Sequence, residues 1–228
     1  MTRLVICDLD GTLLPAGKKS LSSEVCTAIK RIVDKGIVFA VASGRPYDQL
    51  KELFGPLSSR IVFICLDGAL AIYRDCVIYK NRLCKIEAAR LVSLFERATV
   101  FGRMKSLCFD KANPEELIKQ KINTLGSEVF KVALYGEPVK SSIARVCYNK
   151  NGICEYVDFH TNKGAAAKAV MKKFVIDEQD TVAIGDGDND IELLRAVAKP
   201  YKIMPCDSAL DDINAPQISD IVSFLREI

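Results

Sequence analysis

The chain contains one histidine and no tryptophan among its 228 residues. Histidine is the side chain most often used for general acid–base chemistry near neutral pH. With a single histidine in the chain, we do not expect a mechanism based on histidine. The one histidine, His160, lies in a polar stretch that favours a surface or linker role. The chemistry must be sought in other side chains.

Paired cysteines are also absent. The nine cysteines are odd in number, scattered, and include no C-x-x-C pair, which argues against a disulfide framework and a zinc site. Most lie in apolar runs, where a free thiol behaves as a small hydrophobe. We therefore predict a reducing, cytoplasmic environment.

Neither a long apolar run nor a basic run is present. No apolar stretch approaches the roughly 20 residues that span a membrane, and the N-terminus has no secretory-signal pattern. The net charge of +3 is small, whereas nucleic-acid binders concentrate lysine and arginine on one face. With 49% apolar and 27% charged residues, the composition is typical of a globular protein. We expect no membrane or nucleic-acid partner.

Short apolar runs with a β-branched bias indicate buried parallel strands at residues 3–7, 37–42, 60–66, 181–184 and 200–203. Helix-period stretches lie between several of them, at residues 22–35, 46–54, 163–174 and 188–197. This alternation predicts an α/β fold with a doubly wound parallel sheet. Right-handed crossovers place the carboxyl ends of such strands along one edge.

The middle of the chain has a different pattern. A hairpin turning at Arg74-Asp75 is predicted over residues 69–80, and Asn113, Pro114 and Glu116 form a helix-start signature. Helices are also predicted at 85–99 and 139–149, and strands at 104–110, 129–135 and 153–158. We predict that residues 82–157 form a small α/β cap inserted into a core of residues 1–81 and 158–228.

The most specific motif is Asp8-Leu9-Asp10-Gly11-Thr12, directly after the first strand. Two carboxylates at a strand's carboxyl end can face the crevice where α/β proteins bind ligands. Their repulsion is relieved by a hard divalent cation, and a metal-bound carboxylate can act as a nucleophile. The alternative is an ordinary polar turn, but D-x-D-G-T is rare enough by chance to favour function.

Three weaker motifs follow other predicted elements. The stretch 185–190, with Asp186, can hold magnesium, or it is a loop in which Asp188 caps a helix. Ser43-Gly44-Arg45 can bind phosphate oxygens, or it is only a turn before a helix. Lys163 opens a helix, where it needs a nearby anion or is simply solvated.

In chain order, the four motifs, marked by Asp8, Ser43, Lys163 and Asp186, resemble the first to fourth motifs of the haloacid dehalogenase superfamily. The insertion of the cap between the second and third motifs is similar to the Cof-type branch with a small type 2 cap. The resemblance implies a Rossmann-like core and a Mg²⁺-dependent phosphatase. Its expected partner is a small phosphate ester, such as a sugar phosphate or a phosphoglycolate-like metabolite. Whether the protein is a monomer or a homodimer stays open.

The resemblance also implies a role for each motif residue. Asp8 attacks phosphorus, while Asp10 protonates the leaving alcohol and then activates water. Lys163 balances the charge of the transferring phosphoryl group, and Arg45 either contacts that anion or pairs with an acid of the core. The implied metal ligands are Asp8, Asp10 (through its backbone carbonyl), Asp186 and Asp190. The implied phosphoryl-binding set is Ser43, Gly44, Arg45, Lys163 and Asn189.

Two loops depart from the pattern of the branch. Asp67-Gly68-Ala69 stands where asparagine usually comes first, and residues 205–209 replace the usual glycine-asparagine-alanine. Both loops could line the substrate pocket, so these departures affect the prediction of the substrate class more than that of the reaction type. Two alternatives remain, a phosphomutase or phosphotransferase of the same superfamily and a non-catalytic ligand-binding protein on the same fold. The presence of all the catalytic acids disfavours the second.

Overall fold

A computed structural model describes residues 1–110, 115–124 and 128–228. Its strands are β1 (Leu4–Asp8), β2 (Val38–Ala42), β3 (Val62–Cys65), β4 (Leu70–Tyr73), β5 (Cys76–Lys80), β6 (Ala98–Phe101), β7 (Ser106–Phe109), β8 (Lys131–Tyr135), β9 (Ala144–Lys150), β10 (Ile153–Asp158), β11 (Thr181–Gly185), β12 (Lys199–Ile203) and β13 (Gln217–Ile218). Its α-helices are α1 (Ser23–Asp34), α2 (Tyr47–Phe54), α3 (Lys85–Ser93), α4 (Glu115–Asn123), α5 (Lys163–Phe174), α6 (Ile191–Arg195) and α7 (Ile221–Glu227).

The chain divides into two compact units. One combines Met1–Tyr79 with Asn162–Ile228, and the other is Lys80–Thr161. The predicted cap, residues 82–157, lies within the second unit. Among the described residues, no helix has both the length and the apolar character needed to cross a membrane.

The first unit is built on an eight-stranded sheet in the order β13-β12-β11-β1-β2-β3-β4-β5. The central strand β1 is buried along its whole length and runs parallel to both of its neighbours, β2 and β11. Helices α1 and α7 pack together, as do α5 and α6. The predicted α/β fold with a parallel-sheet core is confirmed.

Local sequence signals set the helix ends in this unit. The Ser22 hydroxyl accepts a hydrogen bond from the Val25 amide at 3.2 Å, which caps the start of α1. The Asn162 side chain caps α5 in the same way, through the Ala165 amide at 2.7 Å. Helix α5 therefore starts at Lys163, as predicted from the sequence, and the N-cap holds that lysine at a defined position.

The second unit contains an antiparallel five-stranded sheet in the order β7-β6-β8-β10-β9. Helices α3 and α4 pack against each other. One hydrophobic cluster joins these helices to the sheet, and it includes Leu91, Val100, Ile118, Leu134 and Tyr156. This unit therefore has an apolar core of its own.

Three helix predictions need correction. The helix predicted at 85–99 ends at Ser93, and strand β6 begins at Ala98. The helix predicted at 139–149 is wrong, because strand β9 occupies Ala144–Lys150 and pairs with β10. Both segments contain β-branched residues. Whether such residues form a helix or a strand depends on pairing with neighbouring strands, which the periodicity of the sequence does not reveal. The third segment, 188–197, is a short 3₁₀ turn followed by α6.

Other predictions for this part of the chain fared differently. The hairpin is confirmed, since β4 and β5 are neighbours joined at Arg74-Asp75. The strand predicted at 104–110 is the shorter β7, and that at 129–135 is β8. The proposed helix start at Asn113 and Pro114, with the Glu116 side chain, lies outside the described residues.

Candidate active site

Three motif loops meet at one edge of the parallel sheet. Asp8 is the last residue of β1 and is paired in register with Ala42 of β2. Ser43 follows β2 directly, and Asp186 follows β11 directly. Because these three strands are parallel neighbours, their carboxyl ends lie side by side. The strand order thus brings together residues that are far apart in the sequence.

A group of three carboxylates forms at this edge. Oxygen atoms of Asp8, Asp186 and Asp190 all lie within 4.8 Å of one another. Asp8 and Asp190 are buried, and Asp186 is half-buried. Two motifs that are far apart in the sequence therefore converge at this edge of the sheet.

Lys163 supplies the counter-charge. Its ammonium donates to Asp8 Oδ1 at 2.6 Å and to Asp190 Oδ1 at 2.7 Å, and the residue is only 1% exposed. The anion that a lysine at a helix start requires is thus present. The solvated alternative is excluded.

The pKa values follow from this arrangement. Burial raises the pKa of Asp8 well above its usual range, the Asp190 charge raises it further, and Lys163 lowers it only in part. Burial also raises the pKa of Asp186. Burial alone would lower the pKa of Lys163, but Asp190 and Asp8 outweigh it and hold that pKa above its ordinary value. Lys163 therefore carries a positive charge at any physiological pH.

The donor set fits a hard divalent cation. Three carboxylates against one ammonium leave an excess of two negative charges when all are ionised, and burial makes that excess unfavourable. Carboxylate oxygens are the ligands that Mg²⁺ prefers. Asp190 is already engaged, since its Oδ2 accepts from the amides of Asp186 and Gly187 at 3.1 Å. Asp8 and Asp186 are thus better placed as direct ligands, with Asp190 orienting the loop.

Gly11 allows the first motif loop to approach the Asp186 loop closely. Its φ is +99°, which L side chains rarely adopt, and a Cβ at this position would lie 2.2 Å from Asp186 Oδ2. The sequence accounts for the turn, whereas the contact with Asp186 is visible only in the structure. No other residue type fits both requirements.

Thr12 is also a site residue, although its role is not evident from the sequence. Its hydroxyl donates to Asp186 Oδ1 at 2.8 Å, and the residue is 2% exposed. This bond joins the first motif to the fourth and orients the Asp186 carboxylate. Its only signal in the sequence is its place in the D-x-D-G-T motif.

Asp10 lies outside the group of three carboxylates. Its side chain is paired with Arg45, through Nε at 3.0 Å and Nη2 at 2.5 Å. Of the two roles left open for Arg45, this structure shows the pairing with an acid. That acid is the residue expected to transfer protons.

The remaining predicted residues line the same edge. Ser43 is 1% exposed, and its hydroxyl accepts from the Arg45 amide at 3.2 Å. The Asn189 amide group donates to Asp67 Oδ1 at 3.3 Å. Asp67 belongs to one of the two loops whose sequences depart from the pattern of the branch. The other such loop also reaches the site, because the Asp207 amide donates to the Asp186 carbonyl at 2.7 Å.

Comparison with known proteins identifies the family of this chain. The chain belongs to the haloacid dehalogenase-like hydrolases, whose family pattern matches residues 5–121 and 105–203. A curated relative, phosphoglycolate phosphatase 1 of Saccharolobus solfataricus, is 24% identical over 221 residues, covering 93% of this chain and 87% of that protein. The predicted family is confirmed, and relatives named as phosphatases agree with the predicted phosphoric monoester hydrolase.

Solved structures share the fold. A protein of Streptococcus mutans superposes with a TM-score of 0.82 at 20% identity, covering 100% of this chain and 98% of that one. A sugar phosphatase of haloacid dehalogenase subclass IIB gives 0.75 at 18% identity, covering 98% and 95%. At these identities the likeness establishes the fold alone.

Proposed function

We propose that this protein is a Mg²⁺-dependent phosphatase that forms an aspartyl-phosphate on Asp8. The observation that carries the proposal is the convergence of the Asp8, Asp186 and Asp190 carboxylates, two of which accept hydrogen bonds from the Lys163 ammonium. Phosphoryl transfer depends mainly on positioning and on neutralising charge, and this constellation supplies both. When bound, Mg²⁺ would be held by Asp8, the Asp10 carbonyl and Asp186, and would neutralise phosphoryl oxygens.

Asp8 is the nucleophile in this proposal. Its carboxylate oxygen forms a bond to phosphorus as the bond from phosphorus to the leaving alcohol breaks, which yields an acyl phosphate. Lys163, held 2.6 Å from that carboxylate, balances the charge on the transferring group. Ser43, one position beyond the residue paired with Asp8, donates its hydroxyl to a phosphoryl oxygen.

Asp10 moves the protons. It gives a proton to the leaving alkoxide. In the second half-reaction it takes a proton from the water that attacks the phosphorus of the acyl phosphate, as the bond from the Asp8 oxygen to phosphorus breaks and orthophosphate is released. In this structure its carboxylate is held by Arg45. Proton transfer therefore requires Asp10 to exchange that partner for the leaving group or the water.

The substrate is proposed to be a small phosphorylated metabolite, with the unit Lys80–Thr161 acting as the cap that reads its leaving group. Two similarities support this choice, one to a phosphoglycolate phosphatase and one to a sugar phosphatase. A panel of phosphorylated metabolites, assayed with Mg²⁺, identifies the substrate. Phosphate release without a sugar acceptor separates hydrolysis from a phosphomutase or phosphotransferase reaction.

The test of the nucleophile is Asp8→Asn. We expect this variant to lose Mg²⁺-dependent hydrolysis of a generic aryl phosphate, because an amide oxygen does not form the acyl phosphate. Asp188→Asn is the matched control, since Asp188 is an exposed aspartate of the fourth motif loop outside the group of three carboxylates. Full activity in Asp8→Asn would end the proposal.

A further inference from the structure

The loop after β3 has an unusual backbone. Leu66, Asp67 and Gly68 all have positive φ values, of 52°, 57° and 94°. A leucine in this region is strained, and such strain persists only where the surrounding structure holds it. Asp67 is nevertheless buried, at 4% exposure. The loop therefore has a conformation that Asp67 and Gly68 tolerate but Leu66 does not favour.

Contacts with the motif loops hold this conformation. The amide of Leu66 donates to the Arg45 carbonyl, and that of Asp67 donates to the Ser43 carbonyl, both at 3.1 Å. Gly68 lies against the start of α5, where a Cβ would come within 2.1 Å of the Asn162 carbonyl oxygen. The loop thus touches the second and third motifs through its backbone.

The Asp67 side chain reaches the remaining loops. Its Oδ1 accepts from the Asn189 amide group at 3.3 Å, and a Cβ on Gly44 would lie 3.1 Å from both carboxylate oxygens. An ionised carboxylate only accepts hydrogen bonds, so Asn189 must turn its NH₂ group toward Asp67. Its carbonyl oxygen is then directed away, on the side of Gly187.

We propose that Asp67 is a positioning residue of the phosphoryl site, which selects one amide orientation of Asn189 and holds the second and fourth motif loops together. The proposal rests on the proposed function, because the phosphoryl group is what these loops would bind. Asp67 itself contacts motif residues and acts through them.

The test measures orthophosphate binding in the presence of Mg²⁺, by calorimetry and as competitive inhibition of aryl phosphate hydrolysis. Asp67→Ala is expected to weaken orthophosphate binding on the order of tenfold, the effect of losing one hydrogen bond to a charged group. Asp67→Asn keeps an acceptor and tolerates the backbone, so it stays within about threefold of wild type.

A double-mutant cycle separates positioning from general loosening of the fold. If Asp67 acts through Asn189, the Asp67→Ala/Asn189→Ala variant binds orthophosphate no more weakly than the weaker of its two parents. Asp75→Ala is the matched control, because Asp75 also has a positive φ, of 62°, and is hydrogen-bonded by Tyr47 and Lys51. It is expected to lower thermal stability and leave orthophosphate binding unchanged.

A second arm decides the question if Asp67→Ala does not fold. Asn189→Asp opposes two carboxylates and should weaken orthophosphate binding on the order of 100-fold, of which adding Asp67→Asn should recover about tenfold. Additive effects in the first cycle, or no recovery in the second, would overturn the proposal. A wild-type protein that binds orthophosphate without hydrolysing esters would reject the proposed function and leave this cycle informative.

Discussion

Asp186→Asn should make the metal-free protein more stable while removing its response to magnesium. A carboxylate oxygen of Asp186 lies within 4.8 Å of carboxylate oxygens of Asp8 and Asp190. Asparagine has nearly the same shape and keeps an oxygen to accept the 2.8 Å hydrogen bond from Thr12. The substitution therefore removes one negative charge and little else.

The size of the gain follows from Coulomb's law. Two unit charges at this separation repel by roughly 3 kcal/mol at an effective dielectric constant of about 20. Asp186 is half-buried, so solvent screening reduces this figure, and Lys163 compensates part of the charge. We expect a net gain of about 1–2 kcal/mol in the free energy of unfolding without metal.

The gain depends on pH in a defined direction. Burial raises the pKa of Asp186 in the folded protein, so the folded state binds its proton more tightly than the unfolded state does. Below the unfolded value of about 3.9, wild type and variant should differ little. As the pH rises through the pKa of Asp186 in the folded protein, the carboxyl ionises and the wild type loses stability. The variant has no carboxyl at this position and keeps its stability.

The assay is urea denaturation at several pH values, in chelator and in excess Mg²⁺. Magnesium at about 100 times its Kd should stabilise the wild type by about 2.7 kcal/mol. Asp186→Asn should show little of this increase. Asp188→Asn, a neighbouring change outside the group of three carboxylates, should behave like the wild type in both conditions.

If Asp186→Asn is less stable than the wild type in chelator at neutral pH, the three carboxylates do not repel one another as the geometry requires. A magnesium response that survives the substitution would show that Asp186 is not a ligand.

Two further predictions concern single side chains. Thr12→Val preserves the shape of the side chain but removes the hydroxyl that orients Asp186. Magnesium affinity should therefore fall about tenfold. The thermal shift against Mg²⁺ concentration measures this affinity, and an unchanged titration would contradict the role given to Thr12. Val175 ends α5 in the left-handed region at φ 53° and is 81% exposed, so Val175→Gly should stabilise the protein by about 1 kcal/mol in urea denaturation. Val175→Ala, which keeps a Cβ, should not reproduce this gain.

The sequence predicted the core better than the inserted unit. The core strands are short, apolar and buried, and each is followed by a loop with glycine or aspartate, so pattern and turn chemistry agree. In the inserted unit, residues 98–99 and 144–149 were predicted as helix but belong to strands β6 and β9. Their conformation depends on pairing with strands that are distant in the chain, which local periodicity cannot report.

The sequence alone identifies the candidate residues for the proposed chemistry, because a D-x-D-G-T motif after a buried strand has few other uses and the other three motifs follow in a definite order. How those residues are coupled is visible only in the folded chain. Three hydrogen bonds join separate loops, namely those of Arg45 with Asp10, Thr12 with Asp186 and Asn189 with Asp67. Such contacts depend on strand order and on the strained turn after β3, which arise from packing of the whole sheet rather than from any local stretch of chain.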